Sequence, residues 1–240
     1  MAVHLQWIGL ACFHLRQDEG PTIVMDPYDP AVVAAACGID DPAVLDFRLQ
    51  ADTVIVSSLT DEAHAYYQAV EGAPRVINAL EIAQGRREVQ INGEPLVAVQ
   101  AAEAPHHPEG ADDNALYAFK ADGLWFLHMG DLGYGIDEDE LAPFADRCDV
   151  LLTLVGENLT LRLDELDPMI DILNPTWIVP MHYNLPPITA GMTTVDVFLK
   201  RRSRAPVIYA RHHTVTFPLP AEGLGRPSIV VLEPSAYQPI

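Results

Sequence analysis

The sequence predicts an α/β chain in which β-sheets pack face to face with helices outside, and three observations lead there. Each half of the chain opens with short β signals and continues into helical ones. Several strand-like runs, such as residues 53–57 and 150–155, are apolar nearly throughout, as in strands buried on both faces. Hydrophobic residues make up 49% and charged residues 20% of the 240, enough to build a substantial core in one domain.

The elements follow in order. Residues 4–8, 11–15 and 22–25 are apolar or alternating runs, with Gly9 and Glu19-Gly20-Pro21 as the turns between them. Two prolines in Met25-Asp26-Pro27-Tyr28-Asp29-Pro30 end the third strand. Residues 31–37 are apolar between Pro30 and Gly38 and read as a short helix or a covering loop. The strand at 53–57 is expected to lead into a helix over 61–70, with Thr60 or Asp61 as N-cap. Gly93-Glu94 joins 88–92 to 95–101 as a hairpin, and Ala121-Asp122-Gly123 joins 115–120 to 124–129. Asp137 is expected to cap a helix reaching about Arg147, before the strand at 150–155 and a helix over 166–173 with Pro168 near its start. Strands at 176–179, 207–210, 213–217 and 228–232, with a helix over 194–202, complete the chain.

Charge narrows the function. The net charge of −20 comes from 34 acidic against 14 basic residues. That balance opposes a nucleic-acid partner, whose phosphates need Lys and Arg, and equally opposes an anionic membrane surface. A small-molecule substrate or ligand is the expected partner, with homo-oligomerisation open. Cys12, Cys37 and Cys148 are few, scattered and in apolar surroundings, as for buried thiols in a reducing compartment. The start has no basic segment followed by an apolar one, and no run approaches bilayer length, so a cytoplasmic location is expected.

Chemistry concentrates where apolar runs end in polar clusters: Ser57-Ser58-Leu59-Thr60-Asp61-Glu62-Ala63-His64, Pro105-His106-His107, His128-Met129-Gly130-Asp131 and Pro180-Met181-His182-Tyr183. Asp131 stands at a strand end beside Gly130, with Gly133 and Gly135 behind it, leaving room for a ligand. Taken alone it reads as an N-cap or turn aspartate, and His182 alone reads as a satisfied core or surface histidine. No Gly-x-Ser-x-Gly elbow, Walker loop or Gly-x-Gly-x-x-Gly is present. Lys200, Arg201, Arg202 and Arg204 cluster at a helix end, where they complement its dipole.

In this order the four clusters resemble the metallo-β-lactamase superfamily, specifically its ascorbate-6-phosphate-lactonase-like branch of Zn-dependent hydrolases. The resemblance runs from Trp7 to about His182 and implies an αββα sandwich. It implies that Asp131 bridges metal and water, that His182 and His107 (or His106, if the register slips by one) are metal ligands, and that His128 and Asp26 support the ligands from behind. The family's His-x-His-x-Asp-His loop falls on Ser58, Thr60, Glu62 and Ala63, and its upstream histidine on Leu10. Neutral hydroxyls are poor zinc ligands and Ala63 cannot coordinate. Glu62 keeps a carboxylate as ligand or general base, alongside Asp131 as the other catalytic candidate. His64 stands one residue late, turned about 100° away if residues 61–70 are helical, and is a secondary candidate. At most four ligands remain, enough for one zinc, manganese or iron ion and too few for two. Three readings stay open: a mononuclear metal-dependent hydrolase on a small ester, lactone or phosphoester; a metal-free binding or scaffold protein; and a metal-independent enzyme in the same cleft.

Overall fold

The structure is a computed structural model that describes residues 2–61, 63–103, 114–158, 160–210, 212–219 and 227–237. β1 (Val3–Gly9) and β2 (Cys12–Gln17) form an antiparallel hairpin with Leu5 opposite Leu15, and β3 (Ile23–Met25) pairs with β2. α1 (Pro30–Cys37) resolves the helix-or-loop alternative in favour of helix. Pro30 sits at its start, the Asp29 side chain accepts from the Ala31 and Val32 N–H groups, and Gly38 closes it at φ 68°. β4 (Leu49–Gln50) and β6 (Val70–Glu71) make a small parallel ribbon flanking β5 (Thr53–Val56) in sequence. β7 (Arg75–Asn78) runs parallel to β5 and leads into α2 (Ala79–Ala83), which the Asn78 side chain caps.

The second half starts with the ribbon β8 (Gln90–Ile91) and β9 (Glu94–Pro95), followed by β10 (Val97–Ala101), β11 (Asn114–Ala121) and β12 (Leu124–His128) in an antiparallel meander. α3 (Glu138–Leu141), β13 (Val150–Leu154), α4 (Leu163–Leu173), β14 (Trp177–Met181) and α5 (Val195–Arg201) alternate, so that β12, β13 and β14 are parallel. β15 (Val207–Tyr209), β16 (Thr214–Phe217) and β17 (Ser228–Val231) finish the sheets. Sheet order is β16-β1-β2-β3-β5-β7 in one and β10-β11-β12-β13-β14-β17-β15 in the other.

The alternation along each strand decides the layers. Leu5, Trp7, Phe13, Leu15, Met25 and Ile55 belong to the central core between the sheets. Their neighbours Ile8, Cys12, Val24, Val54 and Val56 face the other way, against Val33 and Ala34 of α1. Leu166, Met169 and Ile170 of α4 and Phe198 of α5 join the central cluster from the second sheet's side. The result is the αββα sandwich of the metallo-β-lactamase fold.

Three expectations fail locally. The described residues of 61–70 form no α-helix: Asp61 Oδ1 accepts from the Ala63 and His64 N–H groups, and the chain turns before a short 3₁₀ stretch at Tyr67–Ala69. The helix expected to reach Arg147 stops as α3 and continues as a 3₁₀ turn, Ala142–Phe144, because Pro143 has no N–H to extend it. The Gly93 hairpin joins only β8 and β9; β10 pairs instead with β11.

Candidate metal centre

Strand polarity gathers the polar clusters. β5 delivers Ser57 to His64, β12 delivers Gly130 and Asp131, and β14 delivers His182, each just beyond the strand's carboxyl end. In α/β sheets that edge is where ligands bind, because loops there are free of the sheet's own hydrogen bonding.

Three side chains converge at this edge. His64, Asp131 and His182 each offer a ligand atom, and these atoms lie within 4.8 Å of one another. His64 Nε2 is 3.5 Å from Asp131 Oδ2, and His182 Nε2 is 3.5 Å from Asp131 Oδ1. The imidazole centroids are 5.4 Å apart. At 3.5 Å these are poor hydrogen bonds, but two atoms each about 2.1 Å from one ion at a tetrahedral angle are about 3.4 Å apart. Asp131 Oδ1, Asp61 Oδ2 and the Nδ1 atoms of His64 and His182 are buried without a hydrogen-bond partner. Of these, Asp131 Oδ1 faces the His182 Nε2 atom directly; buried polar atoms are normally satisfied, so an unpaired carboxylate oxygen between two imidazoles fits a cation. Two imidazoles and a carboxylate are also the donor types that zinc and iron use.

The supports are built from backbone and buried polar groups. Asp26 Oδ1 accepts from the Ser57 N–H (2.6 Å) and Oδ2 from the Tyr117 hydroxyl (3.3 Å), tying the first sheet's loop to the second sheet. The Asp29 N–H donates to Ala63 O and the Tyr66 N–H to Pro27 O, which pins the turn that carries His64. Asn114 clasps the Asp131 loop: its Oδ1 accepts from the Asp131 N–H (3.1 Å) and its Nδ2 donates to Met129 O (3.3 Å). Gly130, at φ 60°, fits only as glycine, since a Cβ would collide with Asn114 Oδ1 and come within 2.8 Å of Ser57 Cβ. His182 itself is left-handed at φ 52°, a strained conformation that turns its ring toward Asp131.

Behind the trio, His128 Nε2 donates to Ala11 O (2.8 Å) while its Nδ1 accepts from the Gly130 N–H (2.9 Å), which fixes the tautomer. Burial holds its pKa down at about 3, so its 3.2 Å contact with Asp26 Oδ2 is not an ion pair. Burial pushes the Asp26 carboxyl up to about 7, against the lowering influence of the Ser57 N–H. A proton on Asp26 removes a negative charge from beside the His128 Nδ1 lone pair, which the Gly130 N–H already engages. Burial alone lowers the His64 pKa, but the Asp61, Asp131 and Asp26 carboxylates outweigh it and raise it above its ordinary value. His182, for which burial prevails over the pull of Asp131, is held below its ordinary value. Without a metal, His64 is therefore the imidazole that takes the proton, and His182 keeps a free lone pair.

Of the sequence-derived candidates, Asp131 and His182 lie side by side, Oδ1 to Nε2 at 3.5 Å. His64, ranked as a secondary ligand on the premise of a helix, joins them because the Asp61 turn replaces that helix. Ser58 and Thr60 hydrogen-bond to each other at 2.7 Å. His128 and Asp26 lie behind the trio as described. Glu62, His106 and His107 lie outside the described residues. The sequence reading missed Asn114; its signal was an isolated amide opening an otherwise apolar strand.

Two histidines and an aspartate thus meet at the carboxyl edge of an αββα sandwich. A family described as the β-lactamase superfamily domain matches residues 4–182, and the chain belongs to this metallo-β-lactamase superfamily. It is 26% identical over 210 residues to a UPF0173 metal-dependent hydrolase of Thermococcus onnurineus, covering 78% of this chain and 88% of that one. A relative of the same description from Pyrococcus furiosus is 35% identical over 75 residues, a match spanning only 33% of that protein. Among solved structures, one from Thermotoga maritima assigned to the Zn-dependent hydrolases of the superfamily has a TM-score of 0.69 at 26% identity, covering 97% of this chain and all (100%) of that one. A metallo hydrolase of Ignicoccus hospitalis shares the fold, with a TM-score of 0.59 at 18% identity over 91% of this chain and 100% of that one.

Proposed function

We propose that this chain is a hydrolase using one divalent ion held by His64, Asp131 and His182, acting on a small ester, lactone or phosphoester. Within the superfamily it stands as a depleted relative of the lactonase-like branch. The observation that carries this reading is the convergence of one ligand atom each from His64, Asp131 and His182 within 4.8 Å of one another. When bound, zinc, manganese or iron would polarise the scissile carbonyl or phosphoryl oxygen and lower the pKa of a water. His182, held neutral, has its lone pair ready for coordination. His64, whose proton the Asp61, Asp131 and Asp26 carboxylates favour, would have to lose it to hold the ion. Asp61, whose Oδ2 is buried without a hydrogen-bond partner in the turn that carries His64, would take a proton from the attacking water; Glu62 remains the sequence-based alternative for that role. The unpaired Asp131 Oδ1, buried beside two imidazoles, weighs against a metal-free scaffold.

The test is ester or lactone hydrolysis before and after chelation. Loss of activity with a chelator and recovery with one equivalent of zinc or manganese supports the proposal. Activity that survives chelation would favour a metal-independent cleft.

A further inference from the structure

We infer that this site, given the metal-dependent reading above, takes uncharged ester or lactone substrates and rejects phosphorylated or otherwise anionic ones. The reason is where strand polarity places the charges. The carboxyl edge carries Asp61 and Asp131 at the site, with Glu157 after β13 and exposed Glu233 after β17. The cations flank the opposite ends of the same strands. Arg75 pairs with Thr53 in register, three residues before Asn78 reaches Val56 and the Ser57 turn. Lys120 pairs with Trp125, whereas Tyr117 pairs with His128 beside the site. Arg16 lies four residues beyond Cys12, the site-proximal end of its hairpin. Arg147 precedes β13, and its guanidinium sits 5.8 Å from the Trp125 ring centroid. Arg201 and Arg202 close α5 ahead of β15 and are engaged by Asp167. Strand rise is about 3.3 Å per residue, so three or four residues of register put these cations roughly 10–13 Å along the strand from the site end.

Arg162, at the start of α4, is a described cation on the site side. It is exposed and held by Asp164 through two bonds, Nε to Oδ1 (3.0 Å) and Nη2 to Oδ2 (3.1 Å). Arg211 lies outside the described residues. A divalent ion held by Asp131 and the two imidazoles, with Asp61 in the turn that carries His64, would have its charge matched by those two carboxylates, leaving little excess for a phosphate dianion. Phosphate sites need such an excess, usually as Arg or Lys forks. An uncharged carbonyl needs only polarisation and the carboxylate base.

The experiment uses metal-loaded full-length protein and substrates of matched chemistry: p-nitrophenyl butyrate, its anionic analogue mono-p-nitrophenyl succinate, and p-nitrophenyl phosphate. The butyrate is expected to exceed the succinate at least about tenfold in kcat/KM at low salt. Raising salt from about 20 to about 300 mM should lift the two anionic substrates several-fold and leave the butyrate unchanged, because screening removes only repulsion. Inorganic phosphate is titrated by calorimetry into the same protein, where a Kd weaker than about 10 mM is expected, little above non-specific binding. Equal or faster turnover of the anionic substrates, or a phosphate Kd tighter than about 1 mM that weakens with salt, overturns the inference. Protein that fails to hold metal refutes the metal-dependent reading instead, and metal content measured on the same sample separates the two failures.

Discussion

Replacing Asp26 by Asn isolates the buried carboxyl at the junction of the two sheets. Asp26 is fully buried between the Ser57 N–H, the Tyr117 hydroxyl and the unprotonated Nδ1 of His128. Its carboxyl is raised from 3.8 to about 7. A group whose folded pKa is raised lends stability below its unfolded pKa and loses it as pH climbs through the folded value. The window is therefore pH 4 to 7, and at about 1.36 kcal/mol per pKa step the loss amounts to about 4 kcal/mol. His128, lowered to about 3, runs the other way, gaining stability as pH rises through nearly the same range. The wild-type curve alone therefore mixes the two, and the informative quantity is the difference between variant and wild type. Urea denaturation of chelator-treated protein, at half-unit steps between pH 4.5 and 8, should show the Asp26→Asn protein gaining several kcal/mol on wild type across the window. Asn keeps an oxygen for Ser57 and supplies an N–H toward His128, so its shape cost is constant with pH. A difference that stays flat within about 1 kcal/mol would refute the raised carboxyl and the proton assigned to it.

Other expectations concern the loop that carries Asp131 and the ligands themselves. Gly130→Ala must hold φ 60° against Asn114 and should cost about 2–4 kcal/mol, read as a lowered thermal midpoint; an unchanged midpoint would contradict the packing at that turn. Asn114→Ala leaves the Asp131 N–H and Met129 carbonyl unpaired in the interior, for a loss of about 1–3 kcal/mol and weaker metal binding, whereas Asn114→Asp should keep the bond to the Asp131 N–H and lose only the one to Met129. Because His64 is raised by the carboxylates around it, protons compete with the metal from above the usual histidine range, so metal affinity measured by calorimetry should fall steadily as pH drops from 8 to 6. A pH-independent affinity over that range would remove His64 from the ligand set.

The sandwich was readable in the residues because its strands alternate between two buried environments: Val54 and Val56 face α1 while Ile55 faces the other sheet. Asp131 and His182 were readable for a related reason, since each closes an apolar run whose polarity change marks the strand end. His64 was discounted because a helix after β5 would have rotated it away. What reversed this was a competition that spacing does not show: the Asp61 side chain satisfies the Ala63 and His64 N–H groups, and Pro27 and Asp29 hold the turn from across the cleft. β7 and α2 went unread although Gly72-Ala73-Pro74 precedes them and Asn78 caps the helix, since both are too short to establish a period. Asn114 gave no signal beyond its polarity, because its role lies in contacts with residues fifteen and seventeen positions away.

The central claim is that one ion sits between His64, Asp131 and His182. Elemental analysis of protein purified without chelator, alongside His64→Ala and His182→Ala proteins shown by circular dichroism to be folded, tests it most directly. About one divalent ion per wild-type chain is predicted, falling to below about a tenth in each variant, since removing one of three ligands leaves too few to hold it. A wild-type chain that stays below about a tenth of an ion after soaking with zinc or manganese, or variants that retain a full ion, would contradict the account.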